Sequence, residues 1–279
     1  MIFQSVKPEE IWTPENRRYL SYLIDAPFQN SPILLRCLFN SQLKRLFFAM
    51  EDYEAPVQGC ILVSYEDLGR TAVILRGTTE VFDRFIPVLE MGQTTEFDYI
   101  EPADCPLYTE RFGSEPSLAT HFYETTTPLG EDTLDELLDL AREGGYKIKD
   151  IDSAMTNALI GFYRFPVNKT SLAIFSKVSG LYALKRAEIV ACAYDTFSLL
   201  QDPIQVAIIG GVRVDERERN RGLCRMLTGM LLNRLFDTGH EEIGLFVDFD
   251  NGPAISCYER VGFARVSDVY RLRIEKDSG

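Results

Sequence analysis

VRVDERERNRGLCRMLTGMLLNRL, residues 212–235, decides how this chain is read. The run leading into it, IQVAIIGGV at 204–212, is apolar on both alternating faces, as a strand covered on both sides should be. After Val214 comes a charged loop. Then Leu223, Met226, Leu227, Met230, Leu231 and Leu235 follow at offsets 0, 3, 4, 7, 8 and 12, which predicts a helix over about 222–237 with one apolar face against a sheet. Gly222 stands where that helix must begin. The first turn of a helix has unpaired N–H groups and the positive end of the dipole, and a glycine there lets an anion come close to the backbone. Arg213, Arg217, Arg219, Arg221 and Arg225 surround the position, so a phosphate or pyrophosphate is its natural occupant. Taken singly, each arginine is read more plainly as solvating the loop and pairing with Asp215, Glu216 or Glu218. The R-x-x-G spacing between a buried strand and an amphipathic helix is what favours the anion site.

Downstream, a strand expected over 243–249 ends in Asp250-Asn251-Gly252-Pro253-Ala254 and a short helix carrying Tyr258, closed by Gly262-Phe263. Asn251, Ala254, Tyr258, Gly262 and Phe263 fit N-x-x-A-x-x-x-Y-x-x-x-G-F, so this half resembles the closing half of the GNAT superfamily of acetyl-CoA-dependent N-acyltransferases. Arg219 and Gly222 likewise resemble that family's R/Q-x-x-G-x-G/A loop, with Cys224 where Gly or Ala is usual. The resemblance covers about residues 180–274. It implies a mixed, largely antiparallel sheet with flanking helices, and acetyl-CoA or another acyl-CoA as co-substrate with no metal. In such a site Val212 and Val214 would hold the pantetheine arm, with Asn251 among the coenzyme-binding residues. Arg219, Asn220, Arg221, Gly222, Leu223, Cys224 and Arg225 would hold the pyrophosphate. Tyr258 would be the acid that protonates the departing thiolate. The base stays open among Asp195, Asp202 and Asp248, and the acceptor is a primary amine of a small molecule or protein. The rival expectation is an acyl-CoA sensor without turnover.

Composition narrows the remaining classes. With 279 residues, 46% of them hydrophobic, the chain can bury a sizeable core, and its length suits an α/β protein of two domains. Net charge is −13, which disfavours nucleic acid and anionic lipid as partners. No apolar run approaches membrane-spanning length and no secretory segment opens the chain, so a cytoplasmic protein is expected, with a homodimer left open. Six cysteines, Cys37, Cys60, Cys105, Cys192, Cys224 and Cys257, lie far apart with no C-x-x-C pair, so neither a zinc site nor a disulfide framework is expected. They read as small buried hydrophobes of a reducing compartment. His121 and His240 read as surface residues of a linker and a turn, and Trp12 as a core anchor.

Gly, Pro, Ser and Thr concentrate in GSEPSLATHFYETTTPLGE, residues 113–131, which places the boundary between domains 1–128 and 129–279. Helices are expected at 11–24, 33–39 and 81–89, the last with Thr79 as N-cap, and at 132–142, 153–163 and 252–261. Strands are expected at 46–50, 59–64, 71–75, 97–100, 181–186, 189–199, 204–214 and 269–274. The first domain reads as a degenerate copy of the second, because Gly77-Thr78-Thr79-Glu80 offers an acidic residue where a phosphate would need a basic one.

Overall fold

The computed structural model describes residues 1–30, 33, 44–65, 70–165, 167, 172, 175, 178–201 and 204–275; the helix expected over 33–39 lies outside them but for residue 33. The chain forms two compact units, Met1–Thr120 with Asp268–Gly279, and His121–Ser267.

In the first unit the described elements are β1 (Ile2–Val6), α1 (Arg17–Ile24), β2 (Lys44–Met50), β3 (Gly59–Tyr65), β4 (Arg70–Gly77), α2 (Thr79–Phe85), β5 (Thr94–Ile100) and α3 (Cys105–Phe112). Their sheet runs β1-β2-β3-β4-β5 and ends on the chain's last strand, β12 (Ala264–Glu275), paired antiparallel with β5. Only β4 and β5 run parallel, with α2 as the crossover. Val81, Phe82 and Phe85 of α2 bury against Val73, Phe97 and Leu272.

The second unit contains β6 (Ser117–Thr125, from His121 onward), α4 (Glu131–Glu143), β7 (Lys147–Asp150), α5 (Thr156–Tyr163), β8 (Gly180–Lys185), β9 (Glu188–Gln201), β10 (Ile204–Val214), α6 (Leu223–Asp237), β11 (Glu242–Asp248) and α7 (Gly252–Val261). From β7 onward it repeats the order of the first unit, with β6 and α4 preceding. Its sheet runs β6-β11-β10-β9-β8-β7, antiparallel from β10 to β7, with the parallel pair β10/β11 joined through α6. The crossovers β4-α2-β5 and β10-α6-β11 therefore correspond, as do α3 and α7. The strands that follow those two helices are exchanged: β6 enters the second sheet and β12 the first.

Leu227, Leu231 and Leu232 on α6 are fully buried, each stabilising the unit by about 1.5–3 kcal/mol. Leu232 lies outside the single apolar face read from the sequence, and Met230, within it, is only partly buried. The helix is covered by α4 and α7 as well as by the sheet.

Several expectations change in the fold. The units divide at residue 120 rather than near 128, and the Gly/Pro/Ser/Thr-rich stretch contains the nine-residue strand β6. Pro14 opens a 3-10 turn and shortens the first helix to Arg17–Ile24. Thr78, not Thr79, caps α2, accepting from Val81 N–H at 3.4 Å. Trp12 is 37% exposed instead of anchoring the core. His121 and His240 are buried; His240 keeps its polarity satisfied through Ser198 Oγ at 2.7 Å and the Leu235 carbonyl at 3.0 Å. Among the described residues no helix is long and apolar enough to cross a membrane, and no three His, Cys, Asp or Glu side chains gather as a metal site.

Candidate functional site

Strand β10 is where the sheet opens. Its pairing with β11 runs only from Val206–Glu242 to Ile209–Leu245, whereas both strands continue three residues or more beyond. On the other side β10 stays with β9 as far as Val214–Ala191, through an irregularity between Gly210 and Arg213. Gly211 makes that irregularity possible. Its φ is +55°, and a Cβ there would fall within 2.1 Å of the Tyr194 ring. The buried Tyr163 hydroxyl donates to the Gly211 carbonyl, and burial raises its pKa well above the ordinary phenol range, so it stays a donor. Arg213 donates to the Tyr163 carbonyl at 3.0 Å and lies over the Phe162 and Tyr163 rings. From Gly210 to Val214 the β11 side of β10 therefore pairs with no strand among the described residues, while the other side stays with β9. Sequence reasoning missed Tyr163 and Gly211; the doubled glycine inside an apolar run was the available hint.

A cavity of ≈ 930 Å³ lies beside this edge. Val212 and Val214 line it from the strand, Arg219, Asn220 and Gly222 from the loop, and Leu223, Cys224 and Arg225 from the first turn of α6. Asn251 and Tyr258 line it from α7 and its cap. Of the eleven residues assigned to the coenzyme or the acid from the sequence, only Arg221 is left out; it borders a neighbouring recess of ≈ 550 Å³ with Lys185, Arg186 and Arg217.

The loop's charges are largely spoken for. Arg217 pairs with Asp215 at 3.0 Å, holding that carboxyl down to about 2. Arg219 approaches Glu216 at 3.8 Å and Arg221 approaches Glu218 at 3.4 Å. Glu218 also accepts from the Tyr146 hydroxyl at 2.6 Å and Lys185 at 2.9 Å, and these hydrogen bonds, the tyrosine's first, hold its carboxyl below the usual range. For these three arginines the plainer reading from sequence describes the structure. Arg225 differs: its Nε is buried without a hydrogen-bond partner, and it makes no ion pair among the described residues. A guanidinium on a cavity-lining residue with no carboxylate partner among the described residues suits an anionic ligand.

The helix start is equally open. Gly222 sits at φ +75° and offers no side chain to cap α6, and the first backbone bond of the helix runs from Met226 N–H to Gly222 C=O. The N–H groups of Leu223, Cys224 and Arg225 precede that ladder and carry the positive end of the helix dipole.

Across the cavity, Asn251 Oδ1 caps α7 by accepting from Ala254 N–H at 3.3 Å. Tyr258 is 7% exposed, and burial pushes its hydroxyl up to about 12. Asp195 is half-buried, accepts from Ser179 N–H at 2.8 Å, and has its pKa raised by burial; Asp248 is exposed at the end of β11. Neither lines the cavity, and Asp202 lies outside the described residues. The cysteines correct another expectation. Cys60 and Cys192 are buried thiols, but Cys224 and Cys257 are bonded to each other across α6 and α7 in the cavity wall. Residues 33 apart in sequence give no spacing clue to such a pair.

The model of the acetyltransferase (GNAT) family matches residues 172–263. Mycothiol acetyltransferase of Gordonia bronchialis is 43% identical over 74 residues, which is 26% of this chain and 23% of that protein. The enzyme of the same name from Catenulispora acidiphila is 40% identical over 63 residues, 23% of this chain and 19% of that one. The matches thus span less than a quarter of these curated relatives. Among solved structures, a tandem GNAT protein from the clavulanic acid biosynthesis pathway has a TM-score of 0.65 at 11% identity over 98% of both chains. A GCN5-related N-acetyltransferase from Sphaerobacter thermophilus has a TM-score of 0.61 at 15% identity, over 98% of this chain and 95% of that one. Those two likenesses are of fold alone. Within the second unit, residues 172–263 match the acetyltransferase (GNAT) family as a domain.

Proposed function

We propose that the chain is an N-acetyltransferase that uses acetyl-CoA to acylate a primary amine of a small molecule or protein. The observation that carries this reading is the candidate anion site: an uncapped helix start and Arg225, which has no carboxylate partner among the described residues, in one cavity with Tyr258. Coenzyme A fits these residues. The N–H groups of Leu223, Cys224 and Arg225, with the Arg225 guanidinium, would hold its pyrophosphate, and the free edge of β10 from Gly210 to Val214 would hold the pantetheine arm as an added strand does. When bound, acetyl-CoA supplies a thioester-activated acetyl group.

The protein's own part is positioning and a proton. Tyr258 keeps its hydroxyl hydrogen at neutral pH and can deliver it toward a departing sulfur. Because Asp195 and Asp248 stand outside the cavity wall, removal of the amine proton through water fits better than removal by either. The relatives' name puts a mycothiol-type amine first among acceptors to try, alongside other primary amines. Amine-dependent release of coenzyme thiol from acetyl-CoA tests the reading. Coenzyme binding without release for any amine would favour the acyl-CoA sensor instead.

One coenzyme per chain is expected by calorimetry. In the first unit Thr78 caps α2, Glu80 occupies its first turn, and Arg76 is committed to the carbonyls of Gln29 and Tyr99 at 3.0 and 2.7 Å. A stoichiometry near two would show that this helix start also binds. Arg225→Ala should weaken coenzyme binding by about tenfold at low salt, with a smaller difference at high salt as screening takes over. Equal affinity at both salt concentrations would remove Arg225 from the anion site.

A further inference from the structure

Each of the two sequence motifs that meet in the cavity carries one cysteine, and the fold brings those two together. Cys224 is the second residue of α6, among the free N–H groups, and Cys257 immediately precedes Tyr258 on α7. Their Cα atoms are 6.5 Å apart, within the span a disulfide bridges. Both are partly exposed and line the cavity, whereas Cys60 and Cys192 are buried on β3 and β9. A dissolved thiol that enters the cavity therefore meets this bond.

We propose that Cys224–Cys257 is a thiol-exchange site, opened in the folded protein by a low-molecular-weight thiol, and that its opening weakens the cavity's hold on coenzyme A. The thiolate attacks Cys257 Sγ and forms a mixed disulfide there, while the bonding pair of the broken S–S bond leaves with Cys224 as its thiolate. Cys224 is the better leaving group, because the open helix start and neighbouring Arg225 favour negative charge on it. A second thiolate attacks the mixed disulfide at the sulfur of the first, releases Cys257 as thiolate and forms the small-molecule disulfide. Two thiols are oxidised and one disulfide is reduced, so the electrons balance.

The effect on binding follows from where the released charge lies. An anionic sulfur in the first turn of α6 competes for the N–H groups that a pyrophosphate would use, and α6 is no longer tied to α7. This second half rests on the coenzyme reading above; the exchange itself does not.

The test begins with alkylation of denatured protein without reductant, which should label four thiols, the six cysteines less the bonded two. Brief exposure of the folded protein to reduced glutathione, followed by acid quenching and peptide mass mapping, should find glutathione on Cys257. Cys224→Ala, which has no disulfide to exchange, should acquire none; if it fails to fold, Cys257→Ala should likewise leave Cys224 unmodified. Desulfo-coenzyme A, which brings no thiol of its own, should bind the opened wild type about tenfold more weakly, and oxidised glutathione should restore the affinity. Six labelled thiols, or a bond that opens only in denaturant, would overturn the exchange site. Unchanged desulfo-coenzyme A affinity after opening would overturn the coupling. Failure of desulfo-coenzyme A to bind either form would sink both the coupling and the coenzyme reading, with the mass map still deciding the exchange.

Discussion

Tyr258→Phe is expected to lower kcat roughly ten- to a thousandfold while leaving coenzyme affinity nearly unchanged. The ring is 7% exposed and packs edge-on to Phe263 at 6.3 Å, contacts that phenylalanine keeps, so the variant should fold and bind. What it loses is a proton held firmly, because burial disfavours the tyrosinate and pushes the group up to about 12. The effect is moderate because a thiol with an ordinary pKa of ~8.5 is a fair leaving group without help. The sign of the pH dependence follows. A raised pKa keeps the acid form present, so the wild type should show no loss of kcat from this group until about pH 11. The measurements are kcat with an accepted amine across pH and coenzyme Kd by calorimetry. An unchanged kcat with chemistry rate-limiting would make Tyr258 a packing residue, and lost binding with unchanged turnover at saturation would make its hydroxyl a ligand contact.

Gly222→Val should weaken coenzyme binding by about tenfold or more, on the order of 1.4 kcal/mol. At φ +75° the backbone is in the left-handed region, which a β-branched residue enters at a cost of roughly 1–3 kcal/mol. The new Cβ would also meet Leu140 Cδ1 and Cδ2 at 3.3 Å. Strain there can be relieved only by turning the loop, which re-aims the N–H groups of Leu223 to Arg225. Thermal unfolding should show the stability cost, and calorimetry on protein still folded should show the affinity cost. A folded variant that binds coenzyme like the wild type would refute the anion-site reading.

What was legible in the sequence is what depends on near neighbours along the chain. Helical spacing located α6 to within a residue, a strand-like apolar run located β10, and Asn251 with Gly262 bracketed α7 through its cap and its left-handed C-terminal residue. Of the eleven candidate site residues named from the helix-start reading and the family resemblance, ten line one cavity. Strand β6 was hidden because its turn-forming neighbours look like a linker, while its pairing partner β11 lies over a hundred residues downstream. The same holds for the exchanged strands, whose unit is decided by pairing rather than by composition. Pairing of charges behaved alike: the sequence presents five equivalent arginines, and only the packed loop commits Arg217, Arg219 and Arg221 to carboxylates and leaves the Arg225 Nε without a partner. The meeting of Cys224 with Cys257 needed α6 laid against α7, a contact between helices separated by a strand. By itself, then, the sequence determined the strand and helices that frame the cavity, because periodicity, caps and glycines act within a few residues. Only the tertiary structure decided which groups face each other in the cavity, because that depends on contacts between residues distant along the chain.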